Sequence, residues 1–371
     1  MTQAMQQTAD TASHRDPAPE RPPDLAPDLA IVMRGVTKIF GPDPEAALRL
    51  LRQGKSKTEV QAETGHVVGL DDVSLDIARG QIYVVMGLSG SGKSTLIRHV
   101  NRLIDPTAGE IVVNGEKVLD MTMAQLRDFR RTGIAMVFQK FGLLPHRSVI
   151  DNVAYGLGVR GMSRAERLEK AAHWIEVVGL SGYEKSRPRQ LSGGQQQRVG
   201  LARALAMDTD ILLMDEAFSA LDPLIRSGMQ EQLLELQSSL DKTILFITHD
   251  FDEALKIGNR IAVLKDGRVQ QVGKPEEIVL NPANAHIEEF VRDVNKARAI
   301  HIRTIMEEGA FEPCDMTVAA DARCEDVLPS FAEHEWIGVA DGEGRQIGRV
   351  RARQIIKALA RYVPSNGQGQ G

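Results

Sequence analysis

Short runs of apolar residues alternate along the middle of this chain with longer stretches in which apolar residues recur every three or four positions. The nearly continuous apolar runs cover residues 82–86, 134–138, 211–214 and 243–248. Runs of this length are typical of strands that are buried on both faces of a parallel sheet. The periodic stretches at 168–178 and 229–240 predict helices with one apolar face. Strands that alternate with helices in this way predict an α/β fold with a largely parallel sheet.

The region before the first of these runs predicts two entry strands with an insert between them. Residues 31–40 predict the first strand, and residues 73–77 alternate apolar and polar positions like a half-buried strand. Between them, residues 45–63 predict two short helices, because Ser56 and Glu59 form a capping box. Gly54 and Gly65 are the predicted helix stops. Residues 41–66 are therefore interpreted as a small helical hairpin.

A second helical segment is predicted at residues 140–190, as a subdomain inserted into the α/β core. Its clearest helix follows the capping box of Ser163 and Glu166 and ends near Gly179. Before this segment, residues 111–113 reach Asn114-Gly115, a dipeptide that is typical of a hairpin turn.

The two ends of the chain predict no packed structure. Residues 1–30 are rich in proline, acidic and small residues, which bury too little apolar surface to offset the entropy of ordering. We expect a disordered tail there and a flexible C-terminus at 363–371.

Composition narrows the function classes. The 371 residues are 42% hydrophobic and carry a net charge of −5, so general nucleic-acid binding is not expected. Two cysteines, Cys314 and Cys324, suit a reducing compartment and suggest no metal site. No apolar run approaches the roughly 18–20 residues that a bilayer span requires, and no signal core is present at the N-terminus. We expect a cytosolic chain whose role at a membrane would depend on a partner.

The strand at 82–86 leads into a phosphate-binding loop. The loop has the pattern of Gly, four residues and Gly-Lys-Ser, and it stands between a predicted strand and a predicted helix, as this motif requires. Its residues are Gly87, Leu88, Ser89, Gly90, Ser91, Gly92, Lys93, Ser94 and Thr95. Glycines let backbone N–H groups form an anion-binding nest, Lys93 brings a positive charge to the phosphates, and the Ser94 hydroxyl suits Mg²⁺.

Polar residues end the other buried strands. Asp215 closes the run 211–214 and suits a carboxylate that holds Mg²⁺ through its water shell. Glu216 follows, where it would accept a proton from an attacking water. Gln139 and His249 end the runs 134–138 and 243–248. Since parallel strands place their carboxyl ends at one sheet edge, these residues predict a site there.

The segment Leu191-Ser192-Gly193-Gly194-Gln195 resembles the signature motif of ATP-binding cassette (ABC) ATPases. The order of the motifs agrees: Walker A at 87–95, the glutamine loop at Gln139, the signature, Walker B at 211–215, and the switch His249. The resemblance covers about residues 31–295 and implies a RecA-like core with an antiparallel β subdomain and a helical subdomain.

The resemblance implies that two copies pack head to tail around two ATP molecules. One chain would supply Lys93, Ser94, Gln139, Asp215, Glu216 and His249, and the other would supply Ser192, Gly193 and Gly194. The catalytic residues implied are Lys93, Gln139, Glu216 and His249, and those implied for Mg²⁺ are Ser94, Gln139 and Asp215. Further ATP contacts are implied for the base-stacking aromatic Phe40 and for Ser192, Gly193, Gly194, Gln195 and Asp222. On the residues alone, Phe40 is equally interpretable as a core phenylalanine.

Several segments narrow the resemblance to the ATPases of glycine betaine, proline betaine and choline importers. They include the insert after Lys38-Ile39-Phe40-Gly41, the P-loop, and residues 212–226. This implies a peripheral protein on the cytoplasmic face of the inner membrane, with an integral-membrane permease and, indirectly, a substrate-binding protein as partners. Alternatives are an importer ATPase for another small solute such as an amino acid, and a soluble non-transport ABC ATPase.

Two segments outside the motifs have open interpretations. Phe141, Leu143, Leu144 and Pro145 follow Gln139, and they suit either a permease-binding patch or packing within the helical subdomain. Residues 300–362 predict the order strand, helix, strand, strand, helix, with a turn at 341–344, and resemble a single CBS repeat. We expect either a regulatory segment that pairs between two chains or a dimerisation tail.

Overall fold

The structure is a computed structural model, and it describes residues 28–139, 141–292 and 294–360. In chain order its strands are β1 (Leu29–Phe40), β2 (Val67–Ala78), β3 (Ile82–Met86), β4 (Ala108–Val113), β5 (Glu116–Lys117), β6 (Ile134–Val137), β7 (Ile211–Asp215), β8 (Thr243–Thr248), β9 (Arg260–Lys265), β10 (Arg268–Gly273), β11 (Glu307–Glu308), β12 (Thr317–Ala319), β13 (Ile337–Ala340) and β14 (Gln346–Val350).

The helices of the described residues are α1 (Pro44–Arg52), α2 (Lys57–Thr64), α3 (Lys93–Val100), α4 (Met123–Thr132), α5 (Val149–Val153), α6 (Tyr155–Val159), α7 (Arg164–Val177), α8 (Gly193–Ala206), α9 (Pro223–Leu240), α10 (Phe251–Ile257), α11 (Pro275–Leu280), α12 (Ala285–Arg292), α13 (Cys324–Val327) and α14 (Ala352–Ala360). Helices α4 and α10 to α12 and strands β9 to β11 were not predicted. The capping box of Thr122 and Gln125 at α4 was a local signal that would have found that helix.

The predicted parallel sheet is confirmed. Its strand order is β10-β9-β3-β8-β7-β6, and all neighbours are parallel except β10 and β9. Strands β3, β7 and β8 are buried throughout. Alternate residues of β3 pack on opposite faces, with Val84 in one apolar cluster and Val85 in another. Helices therefore cover both faces, which explains why these strands are continuously apolar.

The entry strands form a separate antiparallel sheet in the order β2-β1-β4-β5. Strand β1 begins at Leu29, two residues before the predicted start. The hairpin insert forms as predicted: α2 has the capping box of Ser56 and Glu59, and Gly65 adopts a left-handed conformation at its end. Leu48, Leu51 and Val60 give the insert a small core of its own with strand residues Ile39 and Val68. The predicted disordered tail lies outside the described residues up to position 27, and so does the predicted flexible C-terminus.

The helical segment lies between β6 and β7, as predicted. Ser163 and Glu166 form the capping box of α7, and α5, α7 and α8 pack their apolar faces together. None of the helices in the described ranges combines the length and the apolar character that spanning a bilayer requires.

The C-terminal segment folds around its own apolar cluster, on a sheet with the order β11-β14-β13-β12. The predicted order of its elements is confirmed, but the helix expected near 324–334 is shorter. Helix α13 ends at Val327, and a 3₁₀ turn follows over Leu328–Ala332. Pro329 has no N–H to continue the α-helical hydrogen bonds, which is the physical reason. The segment touches the α/β part of the chain where Arg323 Nη2 donates to the Lys256 carbonyl at 2.9 Å.

Candidate functional site

The residues predicted for catalysis meet at the carboxyl edge of the parallel sheet. The P-loop follows β3, His249 follows β8, Asp215 ends β7, and Gln139 lies beyond β6. These strands are neighbours in the order β3-β8-β7-β6. Segments that are far apart in the chain are thereby brought to one edge, the usual binding place of open α/β sheets.

Two P-loop positions require glycine for two reasons: their φ angles are positive, and the neighbouring backbone leaves no room for a Cβ atom. Gly87 has φ of +155°, and a Cβ atom there would lie 2.1 Å from the Leu264 carbonyl oxygen. Gly92 has φ of +104°, and a Cβ atom there would lie 2.5 Å from the Gly69 carbonyl oxygen. Helix α3 begins immediately afterwards at Lys93. Its free N–H groups and dipole make the loop a cradle for an anion.

Lys93 is buried under this loop. Its Nζ donates to the carbonyl oxygens of Gly87 and Leu88 at 2.7 and 2.9 Å. Burial lowers the pKa of Lys93, and the charges of Glu216 and Asp215 oppose that shift. The ammonium group therefore faces the loop from inside.

Ser94 and Asp215 are joined directly, since the Ser94 hydroxyl donates to Asp215 Oδ1 at 2.8 Å. The Arg98 Nη2 atom lies 3.3 Å from Asp215 Oδ2. Arg98 was not among the site residues predicted from the sequence. Burial raises the pKa of Asp215, whereas the Ser94 hydroxyl and the Arg98 guanidinium lower it. Arg98 follows Ser94 by one helical turn on α3, so a helical projection of the sequence would have placed both on one face.

This pair of oxygen groups fits Mg²⁺. A hydroxyl and a carboxylate are hard ligands, and a buried carboxylate is stabilised by a nearby cation. Gln139, the third predicted ligand, is engaged elsewhere: its Nε2 donates to Glu216 Oε2 at 2.8 Å. That contact leaves the Gln139 amide oxygen without a hydrogen bond to the rest of the described chain.

Beyond the Gln139 contact, Glu216 is held by its backbone and by three further side chains, Gln197, Ser219 and His249. It has φ of +48°, which is uncommon for a non-glycine residue, and its N–H donates to the Ile247 carbonyl at 3.0 Å. Gln197 Nε2, another residue missed from the sequence, donates to the Glu216 carbonyl at 3.2 Å. His249 Nδ1 lies 3.6 Å from Glu216 Oε1. A strained conformation held from several sides is typical of a functional residue.

The signature segment forms the start of α8. Ser192 is the N-cap, and its side chain and Gln195 form a capping box. The helix therefore begins at Gly193, because the Ser-x-x-Gln spacing caps it there. Ser192 and Gly193 are exposed, and the side-chain hydrogen bonds of Ser192 stay within the capping box. The N-terminal N–H groups of α8 are thus accessible from outside the chain.

The remaining predicted ATP residues lie at the margins of the site. Phe40 is 40% exposed. A Cβ atom on Gly69 would lie 2.8 Å from Phe40 Cε2 and 3.5 Å from Thr95 Cγ2, so the ring stands beside the P-loop helix. Asp222 accepts a hydrogen bond from Ile225 N at 3.0 Å as the N-cap of α9.

An apolar cleft of about 310 Å³ lies between β6 and the helical subdomain. Leu103, Phe138 and Tyr155 line it, and Leu103 and Tyr155 are 47% and 43% exposed. Leu143, one of the residues considered for a partner patch, packs against the main core instead. Exposed apolar side chains in a cleft are typical of a protein-binding site.

Comparisons with known proteins relate this chain to one family. The family model described as ABC transporter matches residues 70–219. The glycine betaine transport ATP-binding protein OpuAA of Bacillus subtilis is 52% identical over 75% of this chain and 67% of its own length. The trimethylamine N-oxide transport system ATP-binding protein TmoW of Ruegeria pomeroyi is 48% identical over 85% of this chain and 95% of its own.

Among solved structures, the dimeric post-hydrolysis state of the ATP-binding cassette MJ0796 bound to ADP and Pi is similar. It has a TM-score of 0.57 and 33% identity over 66% of this chain and 97% of its own. The chain belongs to the family of ABC transporter ATP-binding subunits that includes these glycine betaine and trimethylamine N-oxide transport proteins.

Proposed function

We propose that this protein is the ATP-hydrolysing subunit of an importer for a small methylated-amine osmolyte. One observation carries the proposal: Gln139 and His249, which follow two different strands, both reach Glu216 beside Walker A. This is the arrangement needed to hold a water against a terminal phosphate. Family membership supports a transporter over a soluble ATPase.

In this proposal the P-loop binds the triphosphate of ATP. Backbone N–H groups of the loop and of the first turn of α3 donate to phosphate oxygens, and Lys93 neutralises their charge. Ser94 and Asp215 would hold Mg²⁺ together with phosphate oxygens and water, and Gln139 would contribute its amide oxygen. Bound there, the cation offsets charge on the phosphates. Phe40 stacks on the adenine ring, since its exposed ring stands beside the P-loop helix.

Glu216 is the proposed general base. Its carboxylate accepts the proton of the attacking water, while Gln139 and His249 keep it oriented. His249 would also reach the terminal phosphate. Asp215 is buried beside Glu216, and the two acidic residues have separate roles in this proposal. Asp215 would supply negative charge for the cation, and Glu216 would accept the proton.

A second copy of the chain completes the site in this proposal. The exposed Ser192 and Gly193 point the N-terminal end of α8 outward, where the terminal phosphate of a partner would meet it. Gly194 leaves room for that approach, and Asp222 belongs to the same interface. The similar cassette MJ0796 is dimeric in its post-hydrolysis state, which supports this assembly.

We further propose that the permease docks in the apolar cleft lined by Leu103, Phe138 and Tyr155. The cleft lies next to Gln139, so a permease element seated there would sense the state of the nucleotide site. The assembly would be peripheral, at the cytoplasmic face of the inner membrane, with a substrate-binding protein delivering the solute.

Leu103→Asp should abolish solute uptake while leaving the basal ATP hydrolysis of the isolated subunit within about twofold of wild type. An aspartate in place of this leucine loses the apolar contact and must give up its hydration when the permease docks, which costs several kcal/mol of association, at least about a hundredfold in affinity. Co-purification with the permease and uptake into proteoliposomes measure the effect.

The matched control is Leu240→Asp, which changes a leucine that is 42% exposed at the end of α9, far from the cleft in the chain. Normal uptake is expected for that variant. Normal uptake for Leu103→Asp as well would show that the permease binds elsewhere.

The solute class follows from the relatives. Glycine betaine and trimethylamine N-oxide both carry a methylated, positively charged nitrogen and a negative oxygen group. Uptake of labelled glycine betaine, choline, trimethylamine N-oxide and a control amino acid by the reconstituted importer tests the proposal. Transport of the amino acid alone would contradict it.

A further inference from the structure

His66 closes the base of the helical hairpin that separates Phe40 from the P-loop. It is only 6% exposed, and it stands immediately before β2. Its Nε2 accepts a hydrogen bond from the Asp43 N–H at 2.9 Å, and its Nδ1 lies 2.8 Å from the Thr64 carbonyl oxygen. The imidazole therefore joins the start of α1 to the end of α2.

These partners define the form of the ring. Because the Asp43 N–H can only donate, Nε2 must be the accepting nitrogen, and because the Thr64 carbonyl can only accept, Nδ1 must carry the proton. The ring is neutral, and both of its nitrogens are used. A buried side chain that is satisfied on both sides keeps a single orientation.

The same ring packs on the residue that follows Phe40. A Cβ atom on Gly41 would lie 2.1 Å from His66 Cδ2, so only glycine allows the backbone to pass this close. On the other side, Phe40 pairs with Val67 in the β1–β2 ladder. Phe40 is thus held on two sides. Its strand partner, Val67, follows His66 in the chain, and the next residue, Gly41, packs against the His66 ring.

The Phe40 ring is directed by this clamp. It lies over Gly69, beside Thr95 of Walker A, with Lys38 Nζ 5.2 Å from its ring centroid, and the residue is 40% exposed. Without the clamp, the 26 residues from position 41 to 66 would be closed at their base only by the β1–β2 pairing and by the small core of the insert. A loop of that length leaves its ends free to move unless contacts close it.

We infer that His66 is a positioning residue for the nucleotide base: it closes the insert so that Phe40 is held ready to stack on adenine. The inference rests on the proposed function, because it requires that Phe40 contacts the base of ATP. His66 acts through Phe40 and touches no phosphate group, so its effect is confined to ligands that carry a base.

The test compares two ligands by isothermal titration calorimetry, MgATP and magnesium tripolyphosphate, which has no base. His66→Ala should weaken MgATP binding by about tenfold, the order of one lost base–aromatic stack. Tripolyphosphate affinity should stay within about twofold. In steady-state assays KM for ATP should rise by a similar factor with kcat unchanged. Equal loss of affinity for both ligands, or a fall in kcat alone, would overturn the inference.

A double-mutant cycle with Phe40→Ala isolates the coupling. If His66 acts through Phe40, the double variant binds MgATP no more weakly than Phe40→Ala alone. Additive losses would overturn the inference. His66→Gln should restore most of the affinity, because its amide oxygen can accept the Asp43 hydrogen bond in the position of Nε2. If His66→Ala does not fold, Gly41→Ala takes its place in the cycle, since the added methyl group must displace the imidazole.

The matched control is Lys55→Ala, which removes the exposed ion pair of Lys55 and Glu63, 2.6 Å apart, on the same insert. MgATP affinity should not change, and a loss equal to that of His66→Ala would assign the effect to insert stability and overturn the inference. Lys93→Ala tests the proposed function separately, because it should weaken the binding of both ligands. Tight binding by that variant would contradict the P-loop assignment itself.

Discussion

Glu216→Gln should lower the rate of ATP hydrolysis by about 10²–10⁴-fold, the usual contribution of a general base, while ATP affinity stays within about threefold. Glutamine keeps an oxygen that accepts the hydrogen bond from Gln139 Nε2, so the geometry of the site is retained. It cannot accept the proton of the attacking water. With hydrolysis blocked, ATP remains bound and the closed dimer accumulates. Steady-state kinetics and size-exclusion chromatography with ATP measure both effects.

The matched control for this prediction is Glu235→Gln, the same change at an exposed position on α9. Its turnover should equal that of the wild type. Wild-type turnover in Glu216→Gln would remove Glu216 from the role of base. A variant that neither hydrolyses nor binds ATP would show that Glu216 serves binding.

The second prediction with a large expected effect is that mixing two inactive variants restores ATPase activity. Ser192→Asp keeps a good N-cap for α8 but places a negative charge where a partner's terminal phosphate would bind. Lys93→Ala disables the P-loop. Each variant alone should lose at least about a hundredfold in kcat/KM, since charge placement provides most of the catalysis of phosphoryl transfer.

In a mixed head-to-tail dimer, the intact P-loop of one chain faces the intact signature of the other. Random pairing then leaves about a quarter of the wild-type number of complete sites. ATPase activity of the mixture, compared with each variant alone, is the measurement. A mixture as inactive as its parents would contradict completion of each site by two chains. Ser163→Asp is the control, because it makes the same change at the capping box of α7, and it should remain fully active.

The relatives support these predictions at different levels. Because the chain belongs to this family, it is an ATP-hydrolysing transporter subunit. The solute, the permease and the role of each residue are proposals that the experiments above address. The regulatory role expected of the C-terminal segment stays a prediction, although the hydrogen bond from Arg323 to Lys256 places this segment against the end of α10, the helix that follows His249.

The sequence by itself determined the elements whose signals lie within a few residues. The P-loop, the capping boxes of α2 and α7, and the buried strands β3, β7 and β8 were all predicted, because spacing, caps and apolar runs are local properties. The order of the motifs was sufficient to indicate the family. The candidate residues at the ends of the strands followed from the topology of parallel sheets.

Only the tertiary structure decided which side chains meet. Arg98 reaches Asp215 across 117 positions of the chain, and Gln139 reaches Glu216 across 77. The left-handed backbone of Glu216, the cleft of Leu103, Phe138 and Tyr155, and the clamp of His66 on Gly41 likewise join separate segments. Such contacts depend on how whole elements pack, and a local pattern carries no information about the distance between two side chains once the chain has folded.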